Sequence, residues 1–106
     1  MTKEKITEAL RTAWLAPVVP KAGPTGGCGR AYVCVSRAIG RAGVNAVAAA
    51  CKKLGIMFLR KAYGTGGNAI YCGYDNADGR ALAKSEAVAA ALSAAGIPAY
   101  AEAVAD

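Results

Sequence analysis

From Arg30 onward the hydrophobic period of the chain switches repeatedly between two and 3.6 residues, and the order of those switches restricts the fold more than any other feature. Ala31–Ser36 (AYVCVS) is β-branched and aromatic and reads as a strand. Residues 37–44 (RAIGRAGV) read as a loop, with or without a helical turn. Asn45 is placed to cap a helix through Leu54, with Val47, Cys51 and Leu54 on one face and Gly55 as its stop. Ile56–Tyr63 (IMFLRKAY) reads as a second strand, Gly64–Asn68 as a glycine hairpin loop and Ala69–Tyr74 (AIYCGY) as a third strand. Asp75 or Asp78 is placed to cap a second helix through Ala95, with a stripe of Leu82, Ser85, Val88, Ala89, Leu92 and Ala95. Ile97–Val104 reads as a fourth strand, and Pro98, which has no N–H to donate, suits an edge.

The resulting β-α-β-β-α-β order predicts an α+β, ferredoxin-like domain over residues 30–106. Right-handed crossovers place both helices on one face of an antiparallel sheet ordered 4-1-3-2. The 26 Ala among 106 residues fit this, since small side chains let helices lie close to a sheet. Residues 1–29 form a separate N-terminal unit in this reading. Thr2–Leu15 is an amphipathic helix with Ile6, Leu10 and Trp14 on one stripe, stopped by Pro17. The stretch APVVPKAGPTGGCG that follows (16–29) has linker composition.

Alternation along the strands points Val33, Val35, Ile70 and Cys72 toward the helices. Tyr32, Cys34, Tyr71, Gly73 and Tyr100 then point to the opposite face. Aromatic side chains on central strands flanked by Arg and Lys are a layout that stacks nucleobases. Against that, residues 67–74 do not match the third-strand motif of RNA-recognition domains. The other expectation is that this face is covered, by the stripe of Ile6, Leu10 and Trp14 docking on its own sheet or on that of a second copy.

The net charge of +6 is unevenly distributed. Residues 9–74 carry Arg11, Lys21, Arg30, Arg37, Arg41, Lys52, Lys53, Arg60 and Lys61 and no acid, while residues 75–106 are net acidic. Such asymmetry marks a surface for an anionic partner. The candidate contact residues are Arg30, Arg37, Arg41, Lys52, Lys53, Arg60 and Lys61, with Tyr32, Tyr63 and Tyr71 interleaved. Residues 36–45 lead into a helix N-terminus, where free N–H groups favour an anion, and Arg37 and Arg41 add charged donors.

The chain has no His, which excludes a Ser-His-Asp or Cys-His relay and His-ligated metals. Cys28, Cys34, Cys51 and Cys72 form no C-x-x-C pair and read as structural thiols, Cys28 and Cys34 being the pair nearest in sequence. Residues 23–30 (GPTGGCGR) lack the Lys-Ser/Thr of a phosphate loop and precede a strand instead of a helix. A non-enzymatic protein without metal or cofactor is expected. The charged N-terminal segment and the absence of a long apolar run fit a reducing, cytoplasmic setting with no membrane span.

The pattern Tyr-x-Gly-Tyr-Asp-Asn, then Gly-Arg-x-Leu, then Ala-Gly-Ile-x-Ala-Tyr, within Ile70–Tyr100, resembles the C-terminal part of small uncharacterised phage and prophage proteins. The resemblance implies a mobile-element accessory protein in a bacterial host. Such proteins often resemble inhibitors of host defence of the anti-CRISPR or anti-restriction type. The leading expectation is therefore a binding protein that engages a host protein or nucleoprotein complex through its basic surface. A direct single-stranded nucleic-acid binder and a dimeric small-ligand sensor are the alternatives.

Overall fold

The computed structural model describes residues 3–17, 19, 30–62, 67–74 and 79–104. Eight elements follow one another: α1 (Lys3–Leu15), β1 (Arg30–Val35), a single 3-10 turn (Arg37–Ile39), α2 (Gly40–Leu54), β2 (Phe58–Ala62), β3 (Gly67–Tyr74), α3 (Arg80–Ala94) and β4 (Ala99–Val104). The four strands form one antiparallel sheet in the order β2-β3-β1-β4. Linker residues 20–29, Tyr63 and the expected caps Asp75 and Asp78 lie outside the described residues.

Cross-strand partners share a face, so the register sorts the sheet. Val33 stands opposite Ile70 and Ala101, and Val35 opposite Ala99. Val33, Val35 and Ile70 join Val47, Cys51, Val88, Leu92 and Ile97 in one core on the helix side. A single polar residue, Ser85, is wholly buried among the described core residues, and its hydroxyl donates to the Leu82 carbonyl at 2.7 Å. That bond removes the cost of burying it.

α1 joins this same core. Ile6, Leu10 and Ala13 are buried in it, and Leu10 is fully inaccessible. The helix lies on the helix side of the sheet, not on the opposite face that it was expected to cover. It approaches α2 and α3 more closely than they approach each other. Ile6 borders Ala42 and Ala46, while Trp14 borders Leu54 and Ile56, so α1 runs in the same direction as α2. On the other flank the Lys84 ammonium of α3 sits 4.4 Å from the centre of the Trp14 ring, a cation–π contact. Alanines on α2 permit the close approach, since Ala46, Ala49 and Ala50 line its shallow junction with Thr7.

Glycines in two places depart from the expected local structure. α2 begins at Gly40, five residues before Asn45, which is exposed within the helix. The Ser36 hydroxyl accepts the Ala38 N–H at 3.1 Å and closes the preceding turn. Gly43 then has no room for a side chain: a Cβ there would lie 2.9 Å from Cβ and Cγ1 of Ile39. The second case is Gly73. The register of β1 passes from Ala31↔Gly73 to Tyr32↔Tyr71, so β3 carries one extra residue at a bulge. Gly73 has φ 131°, and a Cβ on it would meet Ala81 of α3 at 3.5 Å. Gly73 therefore faces the helices, not outward as strict alternation predicted.

Two stability outcomes are expected. Leu10→Ala leaves a cavity in the shared core and should lower unfolding stability by about 2–5 kcal/mol, read from urea denaturation. Gly43→Ala should lower Tm although alanine ordinarily stabilises a helix interior, because its methyl must displace Ile39.

Candidate functional site

The expected contact residues are divided by the topology. β1 runs from Arg30 to Val35 and feeds the start of α2. Arg30 therefore lies at one end of the sheet, opposite Tyr74 and Val104, and is half-buried. Arg37 and Arg41 lie at the other end. β2 runs parallel to β1, since both are antiparallel to β3, so Arg60 and Lys61 share the end that holds Arg41. Arg60 is exposed, its guanidinium carbon 5.9 Å from the Phe58 ring centre. Side chains of Arg37 and Lys61, and all of Tyr63, lie outside the described residues.

α2 gathers three of the residues on one element. Arg41, Lys52 and Lys53 are all exposed, and the helix contains no acid. At 100° and 1.5 Å per residue, Lys52 returns to nearly the same side as Arg41, roughly 16 Å further along the axis. Asn45 falls on that side too, with Lys53 turned toward α1. The two lysines have a structural rationale. They stand in the last turn, where the helix dipole is negative. There Gly55, at φ 74°, closes the helix through Ile56 N–H donating to the Cys51 carbonyl at 2.8 Å. Arg41 has no such rationale. It occupies the first turn, where the dipole disfavours a cation, and no acid accompanies it there.

Beside Arg41 an open apolar cleft of about 490 Å³ is lined by Ile6, Ile39, Ala42, Ala46, Ile97 and Pro98, among others. Arg11, by contrast, is held locally, with its guanidinium 2.7 Å from the Glu8 carboxylate.

Burial corrects the aromatic expectation at Tyr32 alone, since Tyr71 is half-buried and Tyr100 is exposed. Tyr32 is only 2% exposed, packed with Ala69, Leu59 and Tyr71 on the sheet face away from the helices. Its ring centre lies 5.7 Å from that of half-buried Tyr71, with the rings tilted by 57°. Neither Tyr32 face is open for a base to stack on. Ile6 and Leu10 are likewise internal, so they anchor α1 to its own chain.

Cys34, Cys51 and Cys72 are free thiols. Burial pushes each up to about 12 from 9.0, and for Cys34 the neighbouring Glu102 adds to the rise. Cys34 Sγ donates to Glu102 Oε2 at 3.2 Å, a contact between residues 68 apart that no local pattern announces. Thiols held protonated this way are poor nucleophiles. Cys28 lies outside the described residues, and among those described no cluster of three His, Cys, Asp or Glu is placed to hold a metal. No described helix is long and apolar enough to cross a membrane.

The raised thiols predict a pH dependence. The unfolded chain ionises these cysteines near 9 while the folded chain retains their protons up to about 12. Their contribution to stability is thus complete below pH 9 and is lost as pH rises toward 12. Thermal melts across that window should show a falling Tm, with a shallower fall for Cys51→Ala relative to its own value at neutral pH. Comparison with protein-family models, curated proteins and solved structures yields no match to the chain.

Proposed function

We propose that the chain is a non-enzymatic binding protein that docks an acidic macromolecule against the exposed side of α2. The observation that carries this reading is Arg41, a cation placed against its helix dipole, aligned with Lys52 on a helix free of acids. A separation of roughly 16 Å is too wide for one small anion and suits an extended acidic surface. The apolar cleft beside Arg41 offers a place for a partner's hydrophobic side chain. The absence of His and the strongly protonated thiols favour binding over catalysis.

The order of elements after α1, with strands arranged β2-β3-β1-β4, supports a ferredoxin-like domain to which α1 adds a third helix. The C-terminal pattern within residues 70–100 supports a phage-type accessory protein, and an inhibitor of a host defence complex would use such a surface. Burial of Tyr32 favours an acidic protein or nucleoprotein face over stacking on single-stranded nucleic acid.

The test is capture from a bacterial lysate with the intact chain and with an Arg41→Glu, Lys52→Glu double variant whose circular dichroism matches. The wild type should retain a partner that the variant loses. Equal capture by both removes α2 from the interface. Micromolar binding to random single-stranded DNA with a steep salt slope would instead favour direct nucleic-acid binding.

A further inference from the structure

We propose that the outer edge of β4 is a strand-addition site for a second copy of this chain. The sheet order leaves β2 and β4 at the edges, and the two are treated differently. β2 has an irregular register between Leu59 and Ala62, and it carries Arg60 and Lys61 at that point. Bulges and charges of this kind blunt an edge. β4 pairs with β1 regularly along all of Ala99–Val104 and contains no Lys, Arg or Pro.

The backbone phase shows which groups face outward. Ser36 N–H donates to the Pro98 carbonyl at 3.0 Å, and Cys34 stands opposite Tyr100. Hydrogen-bonded pairs alternate in an antiparallel ladder, so Tyr100 and Glu102 also turn their backbone groups to β1. Ala99, Ala101 and Ala103 turn theirs to the edge. Those of Ala99 are occupied: its N–H donates to Ser93 Oγ at 3.4 Å, and the Ser93 hydroxyl donates to its carbonyl at 3.1 Å. Ala101 and Ala103 remain, both half-exposed, and among the described residues no strand lies beyond them.

Self-complementarity selects a second copy as the occupant. A two-fold axis at Ala101 makes that residue pair with its own counterpart through two N–H···O=C bonds. It sets Ala103 opposite Ala99 of the second copy, whose backbone groups stay with Ser93, so the shared ladder is confined to Ala101. The same axis sets Tyr100 opposite Glu102 of the second copy, twice, in the non-hydrogen-bonded positions where side chains lie closest. Tyr100 is 55% exposed and shares with Glu102 the face away from the helices, so its phenol can donate to that carboxylate. An axis at Glu102 would instead oppose two like charges, which excludes that register. The alanines keep the helix side of the junction free of bulk.

Sedimentation velocity of the intact chain over a concentration series, with amide exchange at each concentration, tests this. A reversible dimer is expected, with the Ala101 amide protected only when dimeric. Tyr100→Glu, which sets two carboxylates face to face at an exposed position, should weaken association roughly tenfold or more. A chain monomeric at every concentration overturns the proposal. So does a dimer whose Ala101 amide exchanges as in the monomer, or one that Tyr100→Glu leaves intact.

Discussion

The seating of α1 in the common core is the contact on which the rest of the molecule depends. Leu10 is fully buried, with Ile6 and Ala13 beside it, and all three belong to the cluster that holds Val33, Val47, Val88 and Leu92. Burying one leucine is worth about 1.5–3 kcal/mol, a large share of the stability of a domain this small. The helix fills the space between α2 and α3, which meet α1 more closely than they meet each other. Without it the inner flanks of both would face water. The alanine-rich composition follows from this arrangement, because three helices crowd one face of a four-stranded sheet.

That packing also determines what the surface can offer. With its inner side fixed by Val44, Val47, Ala50 and Cys51, α2 turns Arg41, Asn45 and Lys52 outward. The strong positive charge of residues 9–74 does not become a single patch. Arg30 goes to one end of the sheet, Arg41 and Arg60 to the other, and Arg11 is neutralised by Glu8. What persists is a narrower feature: one acid-free helix with a cation at each end. A partner reading that helix meets charge along a line, with an apolar cleft at the Arg41 end.

The periodicity of the chain revealed most of the architecture because burial on one face leaves a direct imprint on sequence. Val33, Val35 and Ile70 faced the helices as alternation implied, and Leu82, Ser85, Val88, Ala89 and Leu92 were buried along α3 as their spacing implied. The parts that were not legible depend on contacts between distant residues. Gly40 and Gly43 look like helix breakers, yet α2 runs through Gly43, and the reason for glycine there is that Ile39 occupies the space that a side chain would need. Gly73 changes face because of a bulge set by pairing with β1. The stripe on α1 announced a buried face without naming its counterpart. Tyr32 reads as an outward aromatic from alternation alone, and only the folded chain shows it to be inaccessible. Arg41 could be picked out as basic, but its opposition to the dipole needed the true start of α2, five residues ahead of the expected cap.

The central claim is that α1 is an integral helix of the core. Native-state hydrogen exchange measures this directly, by comparing the amides of Leu10 and Ala13 with those of Val88 and Leu92 in α3. If α1 belongs to the core, its amides exchange only through the same global opening as α3 and show matching free energies of exchange. Exchange of the α1 amides many-fold faster than those of α3, through an opening that leaves the sheet and α3 protected, would contradict the account.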